Sequence, residues 1–240
     1  MDKFFDYFDG RYREAIMKKP PHEDGPVITI SRLTGCDARQ IATQLVDELN
    51  RKYGTTRWRW LDKDLIYAIA KELNTGTERV ENFYKGIELS NLSEMIMAFS
   101  GNFVTDLRVK KAIRDVVLSM CKEGYVILVG RGGVAIASEI VDSLHIRIVA
   151  PFYWRVQNIM KKMQKSLEEA EEYCIETDEK RYNMIRDFLE KKPLNIDYLF
   201  DATLNRNSFS VQEISEIIMQ LYEKKVCRQM ADRKKKERIC

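Results

Sequence analysis

Short apolar runs alternate with longer amphipathic segments from Pro26 to Tyr222, and this alternation constrains the fold more than any other feature. The runs are rich in Val, Ile and Leu and too short to be helices, whereas the intervening segments carry apolar residues at helical spacing. Strands separated by helices predict an α/β fold in which a parallel sheet is covered by helices on both faces. The predicted strands are 27–30, 56–61, 125–130, 144–150 and 199–204, and the predicted helices are 39–52, 63–101, 107–122, 155–189 with a break near 164–166, and 211–222.

Three of the predicted strands end in loops that carry glycine or arginine. These loops read SRLTGCDAR from Ser31, GRGG from Gly130 and PFYWR from Pro151. Ligands of parallel α/β sheets bind beyond the carboxyl ends of the strands, so we expect the three loops to meet at one edge. Glycine lets a ligand approach the backbone and arginine pairs with phosphate oxygens, which makes this edge the candidate binding site.

The loop after the first strand allows two interpretations. As a phosphate cradle, it would present free backbone N–H groups and the positive end of a helix dipole to an anion, with Arg32 and Arg39 beside it. As a plain strand-to-helix turn, it would use Asp37 as the N-cap of the next helix. The pattern GxxxxGK[ST] is absent, so the loop alone does not decide between them.

Other candidate positions carry the same kind of alternative. Arg131 in the GRGG loop either grips a phosphate or is a solvated arginine at a helix start. Asp62 either accepts hydrogen bonds from a ligand or begins the next helix. The charged segment from Trp154 to Arg186 is either a solvated helix face or a lid that closes over a transferring phosphoryl group. Its candidate basic residues are Arg155, Lys161, Lys162 and Arg181.

Composition argues against several classes of function. The 40 basic and 37 acidic residues leave a formal charge of only +3, so no nucleic-acid partner is expected. Two histidines and five scattered cysteines offer no metal-ligand spacing and no disulfide framework, which favours a reducing, cytoplasmic location. No apolar run is long enough to span a bilayer, so no membrane partner is expected. Residues 1–25 are predicted to form a helical extension and residues 226–240 a basic tail.

Taken in order, these motifs resemble the cytidylate kinase-like family, relatives of the P-loop nucleoside monophosphate kinases. That family reads ITISREYGSGGREIA, YDKELI, VIVGRG and HVRIVAPLEDRI, then EEEAE, a D-K-x-R stretch and a final SVEEA helix. This chain reads ITISRLTGCDARQIA, LDKDLI, VILVGRGG, HIRIVAPFYWRV, LEEAEE, TDEKR and SVQEISEII, and the resemblance covers residues 26–222. Each motif is weak by itself, but the whole set in this order is specific.

The resemblance implies a P-loop domain over 26–225: a three-layer α/β/α fold with a five-stranded parallel sheet, a helical acceptor-binding insertion at about 75–105 and a helical lid at about 156–180. It implies a phosphotransferase that uses ATP with Mg²⁺ and a small acceptor, such as a nucleoside monophosphate. The acceptor and the oligomeric state stay open, and a dimer is compatible with the sequence. With the loop residues above, the candidate site comprises Arg32, Gly35, Cys36, Asp37, Ala38 and Arg39 for the donor phosphates, Asp62, Arg131, Gly132 and Asp178 for the acceptor, Arg155, Lys161, Lys162 and Arg181 for catalysis, and no protein ligand for a metal.

Two departures from the family pattern bear on activity. Cys36-Asp37-Ala38 replaces SGG, and a carboxylate ~4 Å from a phosphate charge costs about 4 kcal/mol at an effective dielectric of about 20. Trp154 replaces the Asp before Arg155, which alters how that arginine is held. The leading hypothesis is an active phosphotransferase. The alternatives are an inactive binding or regulatory module that keeps the fold, and a reactive Cys36 thiol whose pKa the helix N-terminus and Arg39 would lower.

Overall fold

The computed structural model describes residues 25–61, 114, 117–118, 120–189 and 195–237. Nearly all of them belong to one compact unit, which comprises residues 25–63 and 124–240. In the other unit, residues 120–123 are helical, at the end of the predicted helix 107–122. The predicted extension before Gly25, the helical region 63–101 and the insertion 75–105 lie outside the described residues.

A sheet of parallel strands organises the described unit. Its strands are β1 (Val27–Arg32), β2 (Arg59–Leu61), β3 (Val126–Val129), β4 (Ser143–Val149) and β5 (Ala202–Asn205). Their order is β2-β3-β1-β4-β5, so β1 is central and pairs with β3 on one side and β4 on the other. The loops that follow β1, β3 and β4 therefore leave the sheet at one edge, and the predicted α/β fold is confirmed.

Helices lie on both faces of this sheet. They are α1 (Ala38–Lys52), α2 (Gly133–Ile136), α3 (Phe152–Met163), α4 (Leu167–Phe188), α5 (Val211–Tyr222) and α6 (Arg228–Glu237). Helices α1 and α5 share the larger core with the face of β1 that carries Ile28 and Ile30. Gly133, at the start of α2, lies against Thr29 and Leu128 on the opposite face.

Alternation along the strands and helical spacing along α1 and α5 build the larger core. Residues two apart on a strand share one face, and residues three or four apart on a helix share one stripe, so both patterns bury a continuous apolar surface. Each fully buried Ile or Leu contributes about 1.5–3 kcal/mol relative to an exposed side chain. The residues that meet there include Ile28, Ile30, Ile127, Ile146 and Ile148 from the sheet and Ile41, Leu45, Leu49, Ile214 and Ile218 from the helices.

Some element boundaries differ from the prediction for local reasons. Strand β2 begins at Arg59 rather than at residue 56. Just before it, the Asn50 side chain accepts a hydrogen bond from the Trp58 amide and donates one to the Trp58 carbonyl, so Trp58 does not pair with a strand. The predicted strand 199–204 is wrong at its start, where Ile196–Leu199 forms a 3₁₀ turn that Asn195 caps. A π-helical turn, Glu223–Cys227, joins α5 to α6, and Val226 within it is fully buried in the larger core.

The predicted break near 164–166 and the helix 211–222 are confirmed. Gln164 ends α3 in the left-handed conformation, and Ser166 then begins α4 with a capping box to Glu169. Ser210 and Glu213 make the same motif at the start of α5. No helix in the described part of the chain is both long and apolar enough to cross a membrane.

His145 is a buried polar residue that links two strands of the sheet. Its Nδ1 atom lies 2.9 Å from Thr29 Oγ1 on β1, and its Nε2 atom lies 3.0 Å from Ser143 Oγ on its own strand. Burial lowers the pKa of His145 to about 4, against an opposing effect of the Asp201 carboxylate. The imidazole is therefore neutral in the folded protein at neutral pH.

We predict an acid-sensitive contribution of His145 to stability. An unfolded histidine has a pKa of about 6.5, so the unfolded state takes up the proton first as the pH falls. The contribution is fully present above pH ~6.5 and is lost progressively toward pH ~4, by up to about 3 kcal/mol. The free energy of unfolding in urea, measured from pH 7 to 4.5, should fall less steeply for His145→Gln than for the wild type. Parallel pH profiles for the two proteins would contradict this assignment.

Candidate functional site

Two loops meet at the carboxyl edge of the sheet. The first loop, residues 33–37, joins β1 to α1, and the second loop, residues 130–132, joins β3 to α2. The Leu33 amide donates to the Ile148 carbonyl of β4, and the Gly130 amide donates to the Ile30 carbonyl of β1. These bonds extend the sheet register into both loops, so each loop starts from a fixed position.

Asp37 occupies the N-cap position of α1 but does not act as a capping residue. Its backbone is left-handed, with φ 53° and ψ 33°, and its side chain makes no capping hydrogen bond. The carboxylate instead forms an ion pair with Lys162 of α3. The interpretation of Asp37 as an ordinary helix cap is wrong, because its side chain pairs with Lys162 and accepts no hydrogen bond from the first turn of α1.

The carboxylate of Asp178, on α4, holds the first loop. The Thr34 amide and hydroxyl both donate to Asp178 Oδ1 at 2.7 Å, and Arg155 Nη1 donates to Oδ2 at 2.7 Å. Arg155 also donates to the carbonyls of Ala150 at 3.1 Å and Thr34 at 3.2 Å. Its side chain is only 7% exposed, so its charge is balanced inside the protein by Asp178.

Arg181 of α4 and Asn158 of α3 make further contacts with the first loop. Arg181 Nη1 donates to the Arg32 carbonyl at 3.3 Å and to Thr34 Oγ1 at 3.0 Å. Partial burial lowers the pKa of Arg181, and the neighbouring Asp178 carboxylate opposes that shift. Asn158 Nδ2 donates to the Gly35 carbonyl at 3.2 Å. Both α3 and α4 therefore lie directly on the first loop.

The second loop brings another arginine to the same edge. Gly130, with φ 80°, lies under Arg32, and a Cβ there would come within 1.9 Å of Arg32 Nη1. Arg131 has a left-handed backbone conformation, with φ 56°, and its Nη1 atom lies 3.8 Å from Met184 Sδ on α4. Because α4 contacts both loops, it places Arg131 and Arg181 on the same side of the sheet.

A small cleft opens between the second loop and the sheet. Its enclosed volume is about 10 Å³, and its lining includes Thr29, Ser31, Leu128, Gly130, Gly133 and Ile185. Typical pockets for small-molecule ligands measure about 300–1,000 Å³. The cleft is therefore too small for a nucleotide or a phosphate and has room for about one water molecule.

Cys36 is a core residue of the first loop and not a reactive thiol. Its side chain is almost fully buried, and burial raises its pKa to about 12, against an opposing effect of Arg155. The thiol therefore stays protonated at neutral pH, and the hypothesis of a thiol activated by the helix N-terminus and Arg39 is wrong. Burial raises the pKa of Cys36 more than the nearby arginine charges lower it, because the side chain is packed in the core.

The structure brings together most of the predicted site residues. Arg32, Gly35, Arg155, Asp178 and Arg181 meet at the first loop, Arg131 and Gly132 belong to the second loop, and Ala38 and Arg39 begin α1. Lys162 of α3 forms an ion pair with Asp37. Its neighbour Lys161 is also exposed. Asp62 lies outside the described residues.

Thr34 and Asn158 are site residues that the sequence analysis missed. Neither is charged, and their contacts with α3 and α4 join residues more than 100 positions apart. Only their positions in the sequence could have identified them: Thr34 precedes the loop glycine, and Asn158 follows Arg155 by about one helical turn.

Trp154, which replaces the Asp of the family pattern, does not hold Arg155. The Trp154 ring lies 5.7 Å from the Arg206 guanidinium, and Arg155 donates to Ala150, Thr34 and Asp178.

A five-stranded parallel sheet with glycine-containing loops after β1 and β3 is an α/β fold that presents both loops at the carboxyl edge of the sheet. The chain belongs to the cytidylate kinase-like family, whose model matches residues 27–208. The resemblance found in the sequence motifs is thereby confirmed.

Individual relatives are distant. A structure of an uncharacterized protein from Eubacterium ventriosum has a TM-score of 0.58 and 18% identity, and covers 83% of this chain and 98% of that one. A shikimate kinase from Bacteroides thetaiotaomicron has a TM-score of 0.48 and 11% identity, over 82% of this chain and 98% of that one. A uronate isomerase from Corynebacterium glutamicum is 26% identical over 139 residues, or 58% of this chain and 26% of that protein. The matched region thus spans about a quarter of the isomerase.

We predict that Gly35 cannot be replaced without distorting the first loop. At φ 88°, a Cβ there would lie 2.8 Å from the Arg155 carbonyl oxygen. Gly54 is a matched control, because its φ is also positive, at 58°, but nothing lies within 4 Å of its Cβ position. Gly54→Ala should cost about 1 kcal/mol of unfolding free energy from backbone strain, and Gly35→Ala about 1–3 kcal/mol more. Equal losses in urea unfolding would show that Arg155 does not confine the loop.

We predict that Asp178 and Arg155 are strongly coupled. Asp178→Ala leaves a buried guanidinium without its counter-charge and should cost about 3–5 kcal/mol, whereas Asp178→Ala with Arg155→Met should cost less than the sum of the single losses. Asp197→Ala is the control, because it removes the partner of Arg147 at a carboxylate that is 57% exposed, and should cost less than about 1 kcal/mol. Additive losses in denaturant unfolding would contradict the coupling.

Proposed function

We propose that this protein transfers the γ-phosphoryl group of ATP to a small acceptor, and that the acceptor is a nucleoside monophosphate. The observation that carries the proposal is the convergence of two glycine-containing loops and four arginines at the carboxyl ends of β1 and β3. The four are Arg32, Arg131, Arg155 and Arg181. Phosphoryl transfer needs mainly positioning and neutralisation of charge, which such a set of donors supplies.

The first loop has the features of a donor-phosphate site. Among the described residues, the amides of Gly35, Asp37 and Ala38 donate to no carbonyl or side chain, and they lie at the N-terminus of α1. Such amides and the helix dipole favour an anion. Mg²⁺ bound to ATP would neutralise part of the phosphate charge. The described residues contain no cluster of three His, Cys, Asp or Glu side chains that could hold a metal ion, so the ion would be carried by the nucleotide.

The second loop is the proposed site for the acceptor phosphate. Arg131 offers a bidentate fork at the carboxyl end of β3, and Gly132, at φ 64°, packs against Phe188 of α4, where a Cβ would lie 2.5 Å away. Asp62 is proposed to hold the acceptor nucleoside. Arg181 contacts Thr34 of the first loop and is proposed to stabilise charge on the transferring group, with Asp178 beside it. Scattered cysteines and the need for ATP favour the cytoplasm as the working compartment.

A second candidate function is an inactive binding or regulatory module with the same fold. The observation in its favour is that Asp178 already occupies the Thr34 amide, one of the donors of the first loop. Arg155 is likewise engaged by protein groups and is almost completely buried. Under this hypothesis, the carboxylate of Asp178 occupies the first loop in the place of a bound anion.

Calorimetry and a transfer assay distinguish the two candidates. We expect the protein to bind ATP in the presence of Mg²⁺ and to release ADP when one of a panel of nucleoside monophosphates is added. Arg131→Ala should raise the KM for that acceptor by about tenfold or more and leave ATP affinity unchanged, because a charged bidentate contact is lost. Arg147→Ala is the control, since Arg147 pairs with Asp197 rather than with either loop. Absence of ATP binding at millimolar nucleotide would contradict the kinase proposal and leave the binding module.

A further inference from the structure

We propose that Lys162 compensates the charge of Asp37, so that the first loop can hold a polyphosphate although it carries a carboxylate. The pair is thus a positioning device that makes phosphate binding by the first loop dependent on α3. This inference rests on the proposed function, because it concerns the same donor-phosphate site.

The first step is the position of Asp37 itself. Its side chain is only 14% exposed, and its residue directly precedes the first turn of α1, where the amides of the proposed donor site lie. A carboxylate at the N-terminus of a helix competes with any anion that the same amides would bind. Left uncompensated, Asp37 would therefore weaken the site.

The second step is that three residues of α3 contact three positions of the first loop in the same order along the chain. Arg155 donates to the Thr34 carbonyl, Asn158 donates to the Gly35 carbonyl, and Lys162 pairs with Asp37. Residues spaced three and four apart lie on one face of a helix, so these three contacts form a single interface. The Lys162 pair is consequently held in place by two neighbouring contacts that are better buried.

The third step is that Lys162 remains within reach of a ligand. Its side chain is 47% exposed, whereas Arg155 on the same face is 7% exposed. An ammonium group on a flexible stem can contact a carboxylate and a phosphate oxygen together. Neutralisation of Asp37 and attraction of the incoming anion are therefore functions of one side chain.

The test is a double-mutant cycle with inorganic tripolyphosphate and with ATP·Mg²⁺ as ligands, in calorimetry at low ionic strength. The four proteins are the wild type, Lys162→Met, Asp37→Asn and the double variant, each checked for folding by its thermal melt. We expect Lys162→Met to weaken tripolyphosphate binding by about tenfold or more, and by a clearly smaller factor when Asp37 is already Asn, because only the direct attraction of the lysine for the anion is then lost. Asp37→Asn alone should bind at least as tightly as the wild type.

Lys52→Met is the matched control. Lys52 is also 47% exposed and also pairs with a carboxylate, that of Glu223, but it lies at the opposite end of α1. That end is about 20 Å from Asp37 at the rise of an α-helix. Its replacement removes the same charge from the protein and should leave tripolyphosphate affinity within about twofold of the wild type.

The possible outcomes separate the two proposals. Equal losses from Lys162→Met in both Asp37 backgrounds, or no loss in either, would overturn the compensation by Lys162 while leaving the donor site in place. Binding that is gained only when Asp37 is replaced would also overturn it, because the native pair would then fail to compensate. Binding by none of the four proteins would overturn the proposed function and this inference together.

Discussion

The two carboxylate oxygens of Asp178 accept hydrogen bonds from the Thr34 amide, the Thr34 hydroxyl and the Arg155 guanidinium, and Arg181 lies beside them. One side chain of α4 thereby connects the first loop, the start of α3 and Arg181, which itself donates to Thr34. A buried charge pair is costly to break, since either partner alone would be left desolvated. The geometry of the first loop, and with it the candidate site, depends on this interaction.

The first loop shows how a local conflict can be resolved by tertiary contacts. Asp37 introduces a left-handed residue and a negative charge where a phosphate-binding loop favours glycine. Contacts from α3 hold the loop in this conformation, and Lys162 supplies the opposite charge. The departure from the SGG pattern therefore does not by itself indicate a lost site, which is why binding has to be tested with Lys162 present and absent.

Sequence reasoning predicted the fold well and the site in part. The short apolar runs at 27–30 and 144–150 identify buried strands without any knowledge of the contacts, because each is too short to be a helix. Arg155, Asp178 and Arg181 were found because they stand in family motifs. Thr34 and Asn158 were missed because uncharged residues in a loop and a helix carry no pattern that marks a contact. The alternative interpretation of Asp37 as a helix cap is wrong because capping preferences describe an average residue and do not account for a distant partner such as Lys162.

The sequence by itself determined the α/β class, the family and the edge of the sheet at which the loops meet. These follow from periodicity and from motif order, which are properties of neighbouring residues. Only the tertiary structure decided that Cys36 is buried and unreactive, that Asp178 holds Thr34, and that Asp37 pairs with a lysine 125 residues away. Burial and ion pairing depend on which distant segments pack together, and no local pattern contains that information.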